Sequence, residues 1–145
     1  MQTMQERWID SYPNTIPLEI YAIEMKNGEE CGLEISLHGK NHQVRIQFGL
    51  ACAVQMLDEG IELNIPQGCA NSESFLAIRD QGFPSTLYIL ENSCWGNYIK
   101  SMMGEDLYTS SGFREYCIVT RNYTVYIISQ YNPQIIVSET IMTKL

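Results

Sequence analysis

The first half of the chain alternates apolar and polar residues in short runs that are separated by turn signals. Residues 18–25 and 31–37 alternate in this way on either side of Asn27-Gly28, a pair that favours a β-hairpin because both residues tolerate positive φ. A second turn at 38–41 leads into another alternating run at 43–48. The pattern therefore predicts three antiparallel strands before residue 49.

Gly49 interrupts the apolar pattern ahead of the run LACAVQML at 50–57. A lone glycine in a strand pattern indicates a bulge or bend, so we predict one long curved strand here. A short helix over 50–58 is the alternative, because the larger apolar residues also fit helical spacing. Further along, the sequence predicts a short strand at 61–65 and one or two helical turns at 72–79.

The second half begins with a predicted strand at 86–91 and a short helix at 95–103. Asn92 or Ser93 can cap this helix, and Gly104 is suited to end it.

A polar loop is predicted at 104–112, then a hairpin of strands at 114–120 and 123–129, and an edge strand at 135–137 behind a proline. Hairpins separated by short helices predict an α+β fold, with a mainly antiparallel sheet of about six to eight strands and one or two short helices. A chain of 145 residues is expected to form a single domain over residues 1–145.

The charge balance limits the classes of partner. The chain has 17 acidic and 9 basic residues and a net charge of −8, although only 18% of its residues are charged. Such a surface repels nucleic-acid backbones and anionic membranes and favours a basic partner. We therefore expect neither nucleic-acid nor membrane binding.

The start of the chain lacks an apolar signal core, and no stretch approaches the length of a membrane span. With five scattered cysteines and no C-x-x-C pair, this favours a reducing, cytoplasmic setting. Cys52, Cys94 and Cys117 lie in apolar runs and are expected to be buried as small hydrophobic residues. Cys94 is the one that a helix cap could activate.

No motif predicts catalysis or a cofactor. His38 and His42 flank a turn, where we expect them to be solvated rather than metal ligands. The chain has no phosphate-binding glycine loop and no nucleophile elbow, and no particular pair of acids stands out. We expect a protein that is not an enzyme and has no cofactor or metal.

The aromatic residues divide into two groups. Those in alternating strands are expected in the core: Tyr88, Tyr116 and Tyr126. Those on the short helix and the loop after it have about equal chances of facing the core or a partner: Trp95, Tyr98 and Tyr108.

Taken together, residues 83–93, the helix with Trp95, and the strands around 116–122 and 125–129 resemble small bacterial immunity proteins, the antidotes of polymorphic or contact-dependent toxins. The likeness extends over roughly residues 43–130 and consists of the order of the predicted strands and of short sequence segments. It carries over no defined functional residues, because immunity families differ in the surface that meets the toxin. The resemblance implies stoichiometric inhibition by binding, without turnover.

The leading hypothesis is therefore an acidic immunity protein that occludes the active site of a cognate basic toxin, most simply a nuclease, whose substrate the acids would mimic. A small-molecule-binding domain with an apolar pocket in a curved sheet is the alternative. An enzyme is a third, with two or three acids, or Cys94 and a histidine, converging in a cleft. The residues expected to bind the partner are acids in turns and loops together with nearby aromatics: Asp58, Glu59, Glu62, Trp95, Glu105, Asp106 and Tyr108.

Overall fold

The computed structural model describes residues 6–58 and 82–140, which contain nine β-strands and two short helices. Every strand pair in these residues is antiparallel. The strands are β1 (Arg7–Ile9), β2 (Ala22–Gly28), β3 (Gly32–His38), β4 (His42–Gly49), β5 (Ala51–Asp58), β6 (Leu87–Glu91), β7 (Arg114–Val119), β8 (Tyr123–Ser129) and β9 (Gln134–Glu139). The helices are α1 (Cys94–Met103) and α2 (Glu105–Ser110). The predicted α+β class is confirmed, with slightly more strands than expected.

The strands form two sheets, one in the order β1-β6-β7-β8-β5 and one in the order β2-β3-β4-β9. Both sheets contribute to one core, because alternate residues of β3 and β4 pack with alternate residues of β7 and β8. Ile46 and Phe48 from one sheet and Ile118 and Ile127 from the other are fully buried there. The opposite face of the five-stranded sheet carries a second, smaller cluster that includes Tyr88, Cys117 and Tyr126. The three strand tyrosines are buried, as predicted.

Residues 51–58 form a strand, which confirms the preference for strand over helix, but β4 and β5 are not one curved strand. The chain leaves the four-stranded sheet at Gly49, where φ is +70°, and enters the five-stranded sheet at Ala51. Ser129 on β8 donates a 3.1 Å hydrogen bond to the carbonyl of Phe48 across this junction. Gly32, with φ +74°, lies so close that a Cβ on it would be 2.4 Å from the Gly49 backbone. The predicted bend is therefore a crossing between sheets.

The first hairpin turns later than predicted. Asn27 pairs with Leu33 and Gly28 with Gly32, so the connection consists of residues 29–31. Asn27-Gly28 is strand, and Gly32 supplies the positive φ that the turn requires. The strand also begins at Ala22 rather than at residue 18.

Two elements were not anticipated. β1 has only three residues, too few for an alternating pattern, yet it pairs with β6 along its length. α2 occupies most of the predicted loop at 104–112, because Glu105 and Asp106 suit the first turn of a helix. The predicted elements at 61–65 and 72–79 lie outside the described residues.

The later strands agree with the sequence. β7 and β8 form the predicted hairpin, in which Thr120 N–H donates to the Tyr123 carbonyl at 2.9 Å. β9 forms the predicted edge strand, next to β4. Within the described ranges, neither helix has the length and apolar character that crossing a membrane requires.

Candidate functional site

The two helices lie between β6 and β7 and form a single unit, which we call the helix pair (α1 and α2). Ser93 caps α1, since its hydroxyl accepts a 2.9 Å hydrogen bond from Gly96 N–H. Of the two caps that the sequence allowed, Asn92 instead takes a positive φ of 60° at the end of β6. Gly104 ends α1 by donating its N–H to the Lys100 carbonyl at 3.0 Å, and α2 begins at the next residue. α1 and α2 pack against each other.

Four of the residues expected to bind a partner lie on this helix pair, in two different environments. Glu105 and Asp106 are exposed in the first turn of α2. Trp95 is partly buried against the small core cluster, with its ring centroid 6.2 Å from that of Tyr126. Tyr108 is also partly buried, so the two acids face solvent while the two aromatics support the helices from below.

The ring of Tyr108 has Phe113 and Lys100 as neighbours. The ring stacks on Phe113 with centroids 5.8 Å apart, and the Lys100 ammonium lies 5.5 Å from the ring centroid. Lys100 also pairs with Glu105 at 3.6 Å. Burial, helped by the charge of Glu115, raises the pKa of Tyr108 to about 12. The phenol is therefore neutral at physiological pH.

Three large apolar side chains are exposed on the helix pair. Tyr98 and Met102 lie one turn apart on α1 and are 60% and 62% exposed, and Leu107 on α2 is 55% exposed. Glu105 and Asp106 precede Leu107 directly. None of these three residues was among those expected to bind the partner, although Tyr98 was one of the aromatics with about equal chances of facing a partner. The four-residue spacing of Tyr98 and Met102 could have indicated that both lie on one face of α1. Such a pair on a short helix, however, more often faces a core.

Asp58, another residue expected to bind the partner, is not part of this surface. Asp58 ends β5 opposite Tyr123, at the far end of the sheet from Arg114, where the chain returns from α2. Arg114 pairs with Ser129, which also pairs with Ala51 at the start of β5. Asp58 and Arg114 are therefore separated along the strands by the length of β5, about 23 Å. Glu59 and Glu62 lie outside the described residues.

A cleft of about 460 Å³ lies where the helix pair meets β1, β6 and β7, and we call it the Glu115 cleft. Its lining includes Ile89, Gly96, Asn97, Phe113 and Glu115. Glu115 belongs to β7 and is only 3% exposed. The sequence analysis did not single it out, although an acid that begins the otherwise apolar run EYCIV was a visible signal.

The environment of Glu115 is unusual for a carboxyl group. Its Oε1 accepts a hydrogen bond from the Ser93 hydroxyl, and its Oε2 is buried without a hydrogen-bond partner among the described residues. Burial raises the pKa of Glu115 to about 8; the Ser93 hydroxyl lowers it, and the like charge of Glu6 raises it. The carboxyl is therefore mostly protonated at neutral pH.

The histidines and cysteines do not assemble into a site in the described part of the chain. His38 lies 3.1 Å from Glu24, and His42 contacts Glu19, so each has a carboxylate partner rather than solvent alone. Residues 6–58 and 82–140 contain no group of three or more potential metal ligands. Cys117 is buried as predicted, whereas two cysteines are exposed: Cys52, where the β5–β8 register shifts, and Cys94, the first residue of α1.

Comparison with protein-family models, with curated proteins and with solved structures finds no match to this chain. The described residues form a two-sheet antiparallel α+β fold with a helix pair on one sheet.

Proposed function

We propose that this chain is an inhibitor protein that binds a basic protein partner through the outer surface of its helix pair, as an immunity protein binds its toxin. The observation that carries the proposal is the exposure of Tyr98, Met102 and Leu107 on the same helix pair as the exposed acids Glu105 and Asp106. Exposed apolar residues beside charged ones are typical of protein-binding surfaces.

The charge of the whole chain indicates the chemistry of the partner. With a net charge of −8, the protein attracts a positively charged surface from a distance. The acids on α2 would then pair with lysines or arginines, while Tyr98 and Met102 supply the buried contact area. A basic toxin, such as a nuclease acting in the cytoplasm, has this character, and binding alone would inhibit it without turnover.

The test is a binding and neutralisation assay with the protein that the adjacent gene encodes. The chain should co-purify with that protein and restore growth to cells that produce it. The double variant Tyr98→Ala/Met102→Ala should lose about 2–4 kcal/mol of binding free energy if these residues are hot spots.

The matched control is Leu18→Ala/Ile20→Ala, which truncates two equally exposed apolar residues that precede β2. This control should bind and protect like the unmodified protein. Absence of binding and protection by the unmodified chain, or equal losses in both double variants, would contradict the proposal.

Small-molecule binding is the second candidate, and the Glu115 cleft is the observation that favours it. Its volume of about 460 Å³ is within the range of ligand pockets. The floor of the cleft, however, is a carboxyl group rather than the apolar surface that the sequence suggested, so the ligand would be polar.

A further inference from the structure

Glu115 is a buried acid whose hydrogen-bonding capacity is only partly used. One carboxyl oxygen accepts from Ser93, and the other has no hydrogen-bond partner among the described residues. Leaving such a group unpaired costs free energy, and folded proteins rarely do so without a functional reason.

The basic residues that line the cleft are engaged elsewhere. Lys100 lies over the Tyr108 ring and pairs with Glu105. Arg114 is exposed, and its charge acts on Tyr12 and Tyr116. The charge that acts on Glu115 is that of another acid, Glu6. Glu115 is therefore an acid to which the described chain supplies no counter-ion.

The first turn of α1 packs closely against this acid, beside the cleft. A Cβ at Gly96 would lie 2.2 Å from Glu115 Oε1, so any larger residue in the first turn of α1 would displace the carboxyl. Leu90, which pairs with Glu115 across β6 and β7, and Phe113 supply apolar wall, and Asn97 supplies an amide. A cationic head group with an aliphatic stem matches this combination of a carboxyl floor and partly apolar walls.

We propose that the Glu115 cleft binds an alkyl cation, meaning a primary ammonium or guanidinium group on an aliphatic stem, with the charge on the Glu115 carboxylate and the stem against Leu90 and Phe113. A free amine and a lysine or arginine side chain of a protein both have this chemistry. The site extends beyond the proposed inhibitor function, because it needs no protein partner.

Binding of a cation requires the ionised carboxylate, so the site is linked to pH. Below the pKa of Glu115, which is about 8, the ionised fraction changes about tenfold for each pH unit, and the apparent affinity should change with it. The other titratable or charged groups around the carboxyl are Glu6, Glu91, Lys100, Tyr108 and Arg114. Tyr108 stays neutral over this range because its pKa is about 12.

The experiment titrates the full chain with n-butylammonium and n-butylguanidinium and follows the carboxyl carbon of Glu115 by NMR. Either cation should bind with a dissociation constant near millimolar, as expected for so small a ligand. It should also lower the pKa of Glu115, and affinity should rise about tenfold per pH unit below that pKa. 1-Butanol and butyrate, which have the same stem without the positive charge, should do neither.

Two variants separate the site from the charge of the whole molecule. Glu115→Gln keeps the shape of the side chain and should abolish binding of both cations. Glu29→Gln removes the same charge from the exposed β2–β3 turn and should leave the affinity unchanged. The NMR titration needs no variant, so it decides the matter even if Glu115→Gln fails to fold.

Short glycine-rich peptides with a central lysine or arginine distinguish the two sources of the cation. Tighter binding of the peptide than of the free amine assigns the site to a protein side chain, and the reverse assigns it to a small molecule. A pKa of Glu115 that stays unchanged at tens of millimolar of both cations would overturn the proposal. Tyr98→Ala/Met102→Ala should still bind the cations, so failure of the inhibitor function and failure of this site give different results.

Discussion

Ser93, Gly96 and Glu115 meet where α1 joins the five-stranded sheet, and each restricts the others. The Ser93 hydroxyl accepts from Gly96 N–H and donates to the Glu115 carboxyl. Gly96 has no side chain, which leaves that carboxyl in place. One serine therefore begins the helix and fixes the buried acid, so the cap of α1 and the floor of the cleft are the same structure.

Replacing Glu115 with glutamine should change how stability depends on pH. The pKa of Glu115 rises from 4.5 to about 8 on folding, so the folded state holds a proton that the unfolded state releases between these values. The stabilisation that comes from holding this proton is fully present below about pH 4.5. It is lost as pH rises through about 8, at up to 1.4 kcal/mol per pH unit. Glu115→Gln should remove this slope, and urea denaturation of both proteins between about pH 5 and pH 8 measures it. Parallel pH profiles would contradict the assignment.

At the scale of elements, the correct predictions concern elements whose conformation depends on residues that are close in the chain. The β7–β8 hairpin, the capped helix α1 and the strand at β9 follow from alternation and capping, which involve neighbours in the chain. The first turn was misplaced because Asn27-Gly28 is a strong local signal, yet pairing with Leu33 and Gly32 extends β2 through it. β1 could not be predicted, since three residues gain their conformation only from β6.

The candidate site was predictable to a similar degree. Glu105 and Asp106 stood out because acids in a turn or a helix start are exposed in most folds. The Glu115 cleft was not predicted, because its members come from separate elements and only the fold brings Ser93 to Glu115.

The junction between the sheets should be intolerant of side chains. Gly32→Ala would place a Cβ 2.4 Å from the Gly49 backbone at a φ of +74°. Backbone atoms cannot move aside as a flexible side chain can, so we expect a loss of about 3 kcal/mol or more in the free energy of unfolding. Gly112→Ala is the control, because its φ is +76° with nothing within 4 Å, and it should lose only about 1 kcal/mol. Equal losses in urea denaturation would show that φ alone matters at Gly32.

At the scale of the whole molecule, the negative charge should act on the rate of association with a basic partner. Glu105→Lys/Asp106→Lys should slow association about tenfold at low salt and reduce its dependence on salt, because these acids lie at the proposed contact. Glu29→Lys/Glu30→Lys changes the net charge equally, but at the exposed β2–β3 turn. This control variant should slow association less than Glu105→Lys/Asp106→Lys does. Stopped-flow mixing at several salt concentrations measures both association rates. If both variants slow association equally, the helix pair is not where the partner arrives.

The pairing of β5 with β8 has a consequence for the synthesis of the protein. Val54 lies opposite Ile127, and Val44 on β4 lies opposite Val137, so both sheets need strands from the end of the described chain. At about 5–20 residues per second, a ribosome takes on the order of 4–15 s between the two halves of the first pair. During that time the apolar faces of β3, β4 and β5 have no opposing sheet. Chaperones that bind apolar strands should therefore meet this protein on the ribosome, and a chain truncated before β8 should aggregate even though most of its hairpin signals are intact.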